Sequence, residues 1–178
     1  YDDAGRQTAV TDANDHTTTT AYNACGLVSS VTDARNDAVS YTYDSRHRVT
    51  RVTFPDSSYE QYGYDSVGNR TSKRSQKADV IAYEYSNRNR LTKVDYPGSA
   101  TDTTFSYDNR GQRTQMVDAV GTTSYTWDAV GRLSSVTDPF GKSISYSYDG
   151  NANMTGFTDH FNGTVALSYD SMNRISTM

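Results

Sequence analysis

The histidines, the cysteine and the aspartates are the side chains from which this chain would build a metal site or a hydrolytic site. His16, His47 and His160 are scattered, and together with Cys25 they lack the spacing of zinc ligands. The aspartates recur at turn positions of a repeat, whereas a catalytic pair would interrupt a repeat. No phosphate-binding or nucleotide fingerprint is present. We therefore expect no catalytic residue, no metal site and no cofactor, and we interpret Cys25 as a turn residue.

The tyrosines are a second group with possible chemistry, because an aromatic ring can stack on a sugar. The chain has 15 Tyr, 5 Phe and 1 Trp. Tyr83 and Tyr125 are our candidates for glycan stacking. The interpretation that we favour is that the tyrosines pack on a pleated sheet, a surface on which tyrosine and threonine are common.

A repeat of about 21 residues covers the chain and is its strongest feature. Each copy begins with an aromatic residue and then Asp, Asn or Ser, as in the segments YDSRHR, YDSVGN and WDAVGR. The aromatics lie 20 to 22 residues apart, at Tyr1, Tyr22, Tyr43, Tyr64, Tyr85, Tyr107, Trp127, Tyr148 and Tyr169. This constant period predicts one array over residues 1–178, with eight to nine repeats and no separate domain.

The residues that follow each aromatic predict a turn. Asp, Asn and Ser accept a hydrogen bond from the backbone two residues on, and the fifth position is mostly Gly, Asn or His, which tolerate a positive φ. At the exception, Ala152, we expect Asn151 or Asn153 to take the left-handed conformation instead. An arginine at the sixth position is placed to pair with the aspartate. The turn residues that we predict as structural anchors, beside the aromatics, are Asp44, Asp65, Gly68, Asp108, Gly111, Asp128, Gly131, Arg132, Asp149 and Asp170.

A second turn divides each repeat into two strands. Its position is marked by Pro55, Pro97 and Pro139, which lie 42 residues apart, because proline presets φ for the second position of a turn and is poorly placed inside a paired strand. Two turns in about 21 residues leave room for two short strands.

The two strands of a repeat have different patterns. The first alternates, as in Tyr41 and Tyr43, so these side chains lie on one face. In the second, apolar residues such as Leu133 and Val136 are three apart, and we expect a β-bulge there. Short connections predict sequential hairpins. The predicted fold is all-β: antiparallel hairpins in one curved, spiralling sheet, whose open edge strands favour self-association.

Composition excludes two classes of partner. The net charge is −4 and the charged residues are dispersed, so nucleic acid is not expected. No apolar run approaches the roughly 20 residues of a membrane helix.

Hydrophobic residues are only 34% of the chain, which predicts no deep core. The chain begins at Tyr1, without an initiator Met, and reads as an excised piece.

These residues resemble the RHS or YD-repeat family, whose consensus is close to G…Y-x-Y-D-x-x-G-R-L-x-x-V-x-D-P-x-G. The segment YTWDAVGRLSSVTDPFG, Tyr125–Gly141, matches it nearly throughout. The resemblance extends over all 178 residues. Departures from the family pattern are local, at Thr20, Arg70, Arg113 and Leu167.

The resemblance implies a function. In bacterial insecticidal Tc toxins, RHS polymorphic toxins and type VI effectors, such repeats form a shell around a variable toxin, and in teneurins a related shell serves adhesion. It implies a structural shell segment without chemistry of its own, in a secreted or cell-surface bacterial protein. Its partners would be neighbouring repeats of the same protein and a toxin cargo. The alternative is a carbohydrate-binding or cell-surface-binding module.

Overall fold

The computed structural model of the chain describes residues 1–98 and 101–177. These residues form eighteen β-strands and no helix, which confirms the predicted all-β class. Accordingly, the described part of the chain offers no helix that is long and apolar enough to cross a membrane. The strands are antiparallel: β1 to β8 and β9 to β16 each follow one another in chain order, and β17 and β18 form a hairpin of their own.

The chain forms two compact units, one from Tyr1 to Tyr83 and one from Glu84 onward. The strands of the first are β1 Ala9–Thr11, β2 Thr17–Tyr22, β3 Val28–Thr32, β4 Ala38–Tyr43, β5 Val49–Thr53, β6 Tyr59–Tyr64, β7 Arg70–Arg74 and β8 Val80–Tyr85, whose last two residues belong to the second unit. Those of the second are β9 Leu91–Asp95, β10 Thr103–Tyr107, β11 Arg113–Val117, β12 Thr122–Trp127, β13 Leu133–Thr137, β14 Ser143–Tyr148, β15 Met154–Thr158, β16 Thr164–Ala166, β17 Ser168–Tyr169 and β18 Ile175–Thr177. The single array without a separate domain, and the curvature of the sheet, stay predictions.

The expected bulge lies at the start of the second strand of a repeat. Trp127 pairs with Leu133 and Thr126 pairs with Ser135, so Ser134 is the extra residue. Tyr125 then pairs with Val136. The bulge explains why apolar residues three apart share one face with the aromatics of the neighbouring strand. The same register shift is present in the first unit, next to Tyr43.

The turn after an anchor aromatic is held by the polar residue at its second position, which is aspartate in most repeats. The Asp128 backbone N–H donates to the Arg132 carbonyl at 2.8 Å, and the Gly131 N–H donates to the Asp128 carbonyl at 3.0 Å. Asp128 Oδ1 accepts from the N–H groups of Val130 and Arg132, at 3.0 and 2.8 Å. Gly131 has a φ of 94°, as expected for the last residue of a three-residue hairpin loop.

The second turn has the same hydrogen bonds and begins where the prolines predict. The Asp138 N–H donates to the Lys142 carbonyl at 2.9 Å, and the Gly141 N–H donates to the Asp138 carbonyl at 3.1 Å. Pro139 is therefore the second residue of its turn. The turn predicted at Pro97 includes residues 99 and 100, which lie outside the described part of the chain.

The expectation for the turn at Ala152 was wrong. Ala152 itself has a φ of 67°, and neither neighbouring asparagine has a positive φ. The reason is that the backbone bonds fix the geometry: Asp149 N–H donates to Asn153 at 3.0 Å, and Ala152 N–H donates to Asp149 at 3.2 Å. These two bonds assign the left-handed position to the fifth residue, whatever its side chain.

Replacing Ala152 by glycine is expected to stabilise the protein. A non-glycine residue in the left-handed region costs about 1–2 kcal/mol, and the extra freedom of glycine in the unfolded chain offsets about 0.4–1 kcal/mol of the gain. The free energy of unfolding from urea titration should rise by roughly 0.5–1 kcal/mol. Ala129→Gly is the matched control, since Ala129 has no positive φ, and it should lower the stability. A change of the same sign in both variants would contradict this explanation.

The sheet contains little that is fully shielded from water. Val94 is the one buried hydrophobic residue in the described part of the chain, at 9% exposure. The aromatic face is half-buried, as β4 shows, where half-buried Val39, Tyr41 and Tyr43 alternate with exposed residues. Stability must therefore come from contacts between neighbouring strands rather than from a central core.

Candidate functional site

Seven anchor aromatics use a polar atom of the ring to bond the preceding repeat. Tyr148 Oη donates to the Leu133 carbonyl at 2.9 Å, and Trp127 Nε1 donates to the Arg113 carbonyl at 2.9 Å. The same bond, at 2.7 to 2.9 Å, joins Tyr22 to Gln7, Tyr43 to Val28, Tyr64 to Val49, Tyr107 to Leu91 and Tyr169 to Met154.

Sequence reasoning missed this bond, although a signal for it was present. Every anchor aromatic is Tyr or Trp, the aromatic residues with a hydrogen-bond donor on the ring, and none of the 5 Phe residues is an anchor. A packing role alone would also admit Phe. The donor is selected because the accepting carbonyl lies at the start of the second strand of the preceding repeat, beside the bulge.

The sixth-position arginine first bonds within its own turn. Arg132 Nε donates to Asp128 Oδ2 at 2.6 Å, and both side chains are about a quarter exposed, at 27% and 25%. Equivalent ion pairs join Arg6 to Asp2, Arg48 to Asp44 and Arg174 to Asp170, each at 2.7 Å.

The same arginine then reaches the next repeat. Arg132 Nη1 donates to the Asp149 carbonyl at 2.7 Å, and its Cζ lies 4.7 Å from the centroid of the Tyr148 ring. Arg48 contacts Asp65 and Tyr64 in the same way. A guanidinium over a tyrosine ring is attracted by the ring quadrupole. One side chain therefore joins its own turn, the next anchor ring and the next turn.

These arginines occur in every second repeat. They are Arg6, Arg48, Arg90, Arg132 and Arg174, at intervals of 42 residues, which is also the spacing of the three prolines. The sequence thus has a second, longer period, in which two successive repeats form one unit. Sequence reasoning left this second signal unused.

The turn geometry lowers the pKa of several anchor aspartates. For Asp128, the hydrogen bond from the Arg132 backbone N–H is the largest cause of the lowered pKa. Desolvation opposes it, and the hydrogen bond from the Arg132 side chain lowers the pKa further. For Asp2 and Asp170, the side-chain hydrogen bond from the turn arginine is the largest cause of the lowered pKa. These carboxylates are therefore held in their charged form.

Stability should fall in acid because of these aspartates. A folded-state pKa below the unfolded value adds stability that is present above the unfolded pKa and lost as pH falls through the folded pKa. Urea midpoints should be flat between about pH 6 and 8 and fall below about pH 4, near the ordinary aspartate pKa. Asp128→Asn should be less stable at neutral pH and lose less on acidification. Equal midpoints at pH 7 and pH 3 for the wild type would refute the assignment.

The strand pair β6 and β7 places charged groups within the aromatic face. Lys73 Nζ lies 3.4 Å from Glu60 Oε1, and the Tyr62 hydroxyl donates to Glu60 Oε2. Desolvation first, and then the hydrogen bond to Glu60, raise the pKa of Tyr62 to about 12. Tyr62 is thus a hydrogen-bond donor at neutral pH and has no features of a general base.

The two candidate glycan-stacking residues occupy half-buried positions on strands. Tyr83 lies in β8 and Tyr125 in β12. The Arg113 guanidinium carbon lies 4.4 Å from the centroid of the Tyr125 ring, so one face of that ring is already covered. Their role in sugar binding stays a prediction. In the described residues, no group of three or more His, Cys, Asp or Glu is arranged to hold a metal ion.

Family comparison agrees with the repeat geometry. The family model described as Teneurin YD-shell matches residues 1–117, about two thirds of the 178 residues. The chain belongs to the Teneurin YD-shell family. A second model, RHS Repeat, matches residues 127–164 of this YD-shell chain. None of the curated proteins compared with the chain matches it significantly.

Solved structures share the YD-shell fold. The crystal structure of TcdB2-TccC3 matches with a TM-score of 0.73 and 16% identity, over 90% of this chain and 10% of that chain. The Tc holotoxin pore of Photorhabdus luminescens matches with a TM-score of 0.70 and 17% identity, over the same shares. This chain thus spans about a tenth of the length of these structures, and at such identities the likeness shows the fold.

Proposed function

We propose that this YD-shell segment forms part of the wall of a container that encloses a toxin or effector cargo, within a longer secreted or cell-surface bacterial protein. Its partners would be the neighbouring repeats of that protein and the cargo. The proposal assigns the chain no reaction of its own. The family and the likeness to TcdB2-TccC3 support a shell role.

The observation that carries the proposal is the recurring bond from an anchor ring to the preceding repeat. Tyr148 uses its hydroxyl in this bond, and Trp127 uses its indole N–H. The anchor arginines bond carbonyls of the next turn. The distinctive side chains of the repeat are thus used to join one repeat to the next, as a wall requires and as a catalytic site would not.

Limited proteolysis of the longer protein tests the proposal. A cargo segment inside the container should resist a protease at concentrations that digest the same segment expressed alone. Removal of residues 128–138, which takes out one strand and one turn, should open the wall and make the cargo cleavable. Cleavage of the cargo in the intact protein at the rate of the isolated segment would refute enclosure.

A surface-binding module is the second candidate, favoured by the half-exposed tyrosines. Tyr83→Ala and Tyr125→Ala should each weaken a glycan found on an array, with circular dichroism unchanged. Tyr146→Ala is the matched control, since Tyr146 has the same place in another repeat and is also half-buried. Loss of binding in the two candidate variants, but not in the control, would favour this function over the wall.

Self-association through an edge strand is a further expectation. All three residues of β1 are exposed, and Val10 is 51% exposed. An exposed strand edge is a template for pairing with another chain. Light scattering with cross-linking should detect dimers, and Val10→Lys should reduce them. A strict monomer at all concentrations would contradict this expectation.

A further inference from the structure

Three residues of the first unit interrupt the polar face of the sheet. The face opposite the anchor aromatics is formed mostly by serine and threonine. Arg51 of β5, Tyr59 of β6 and Arg74 of β7 replace these small residues on three consecutive strands. Several other repeats have small polar residues at the corresponding positions, namely Ser30, Ser72 and Ser135; Thr17, Thr122 and Ser143; and Thr32, Thr53, Thr137 and Thr158, whereas Lys93, Asp102 and Asp95 stand at these three positions in later repeats.

The two arginines stack on one tyrosine ring. The guanidinium carbon of Arg51 lies 3.7 Å from the Tyr59 ring centroid, and that of Arg74 lies 3.9 Å from it. Since β5 and β7 pair with opposite edges of β6, the arginines approach the ring from its two sides. All three side chains are half-buried. The result is a layered group of two cations and one aromatic ring.

The positive charge of this group has no internal counter-ion. Arg48, for comparison, pairs with Asp44 at 2.7 Å. Among the ion pairs of the described residues, none includes Arg51 or Arg74. Two like charges this close repel each other, and the ring quadrupole offsets only part of that repulsion. An anion is the group that would satisfy them.

The hydrogen bonds of the two guanidinium groups fix their orientation and leave donors available. Arg51 Nε donates to Thr53 Oγ1 at 3.2 Å. Arg74 Nη1 donates to the carbonyls of Tyr59 and Ser75, at 3.1 and 3.3 Å. In the described part of the chain, the Nη groups of Arg51 donate no hydrogen bond. Nε and Nη2 of Arg74 donate none there either. Planar guanidinium donors of this kind match the oxygens of phosphate, sulfate and carboxylate.

We propose that Arg51, Tyr59 and Arg74 form a binding site for an oxyanion group, such as phosphate, sulfate or carboxylate. Arg51 and Arg74 supply charge and directed N–H donors, and Tyr59 holds the two guanidinium groups in place. Because guanidinium groups cover the ring, the ligand is recognised through its charge and not by stacking of a sugar. The site goes beyond the wall function and does not depend on it.

The first test is a calorimetric titration of the protein with sodium sulfate and with inorganic phosphate, in sodium chloride at matched ionic strength. We expect saturable binding in the wild type and at least tenfold weaker binding in Arg51→Gln and Arg74→Gln. Arg35→Gln is the charge-matched control, because Arg35 is 82% exposed and removal of its charge leaves the site intact. Equal binding by Arg35→Gln and the two site variants would overturn the proposal, as would no binding by the wild type.

A second measurement needs no variant and therefore does not depend on their folding. In NMR spectra of the wild type, the Nε signals of Arg51 and Arg74 should shift with sulfate before that of Arg48, whose charge is already paired. Uniform shifts of all arginine signals would refute the site. A titration with a heparin disaccharide then distinguishes the source of the oxyanion. Tighter binding of the disaccharide than of sulfate would show that the site binds a sulfated sugar. Equal affinities would show that it binds a free ion.

Discussion

A chain that lacks residues 128–148 should fold, whereas a chain that lacks only residues 128–138 should lose much of its stability. The longer cut removes β13, β14 and their two turns, and it joins Trp127 directly to Asp149. Asp149 opens the same kind of turn as Asp128, because its Oδ1 accepts from the Asn151 and Asn153 N–H groups at 2.9 Å each. Every later strand keeps its direction and its face.

The shorter cut removes one turn and β13 alone, so every later strand reverses its direction. Tyr148 loses its acceptor at Leu133, and Arg132, which joins Asp149 and Tyr148, is deleted. These losses amount to about 3 kcal/mol from hydrogen bonds and ring stacking. That corresponds to roughly 6–12 °C in the melting temperature of a chain of this size.

Thermal melts of the two deletions, followed by circular dichroism, check this expectation. The wild type and a second whole-repeat deletion, residues 23–43, serve as controls, since the latter removes one repeat from the first unit. Melting temperatures that are equal for the 21-residue and 11-residue deletions in the second unit would show that the repeat does not consist of two strands.

The second large effect is expected for Arg132→Ala. The substitution removes the ion pair with Asp128, the bond to the Asp149 carbonyl and the stacking on Tyr148. A hydrogen bond that involves a charged group contributes about 1.5–3 kcal/mol, and the stacking adds about 0.5–1 kcal/mol. We expect the free energy of unfolding to fall by roughly 2 kcal/mol, measured by urea titration.

Arg174→Ala is the internal comparison for Arg132→Ala. Arg174 pairs with Asp170 in its own turn at 2.7 Å, but its side chain is 72% exposed. Such an exposed ion pair contributes little to stability, so the loss should be small. The difference between the two variants measures the contacts that join one repeat to the next. Equal losses would show that the arginine stabilises only its own turn.

The sequence contains enough information for the strand pattern and the turns. The spacing of Leu133 and Val136 predicts the bulge, because only an extra residue puts side chains three apart on one face. The alternation at Tyr41 and Tyr43 predicts the aromatic face. Both are local properties of the chain, which is why a single sequence reveals them.

Contacts between strands were beyond sequence reasoning. The bond from Tyr148 to Leu133 and the layering of Arg51, Tyr59 and Arg74 depend on which residues the register brings side by side. Ala152 shows a different limit, since side-chain preference favoured Asn151 or Asn153 and the turn's two backbone hydrogen bonds decided otherwise. The division into two units after Tyr83 has no signal in a repeat that continues through it.

A cryo-EM map of the longer protein would test the wall most directly. In the map we expect two strands after each anchor aromatic, with the anchor rings bonded to the preceding repeat, and the sheet of this chain bordering an enclosed volume with cargo density. A map in which this sheet borders only solvent, or in which its hairpin turns are out of step with the anchor aromatics, would contradict the account.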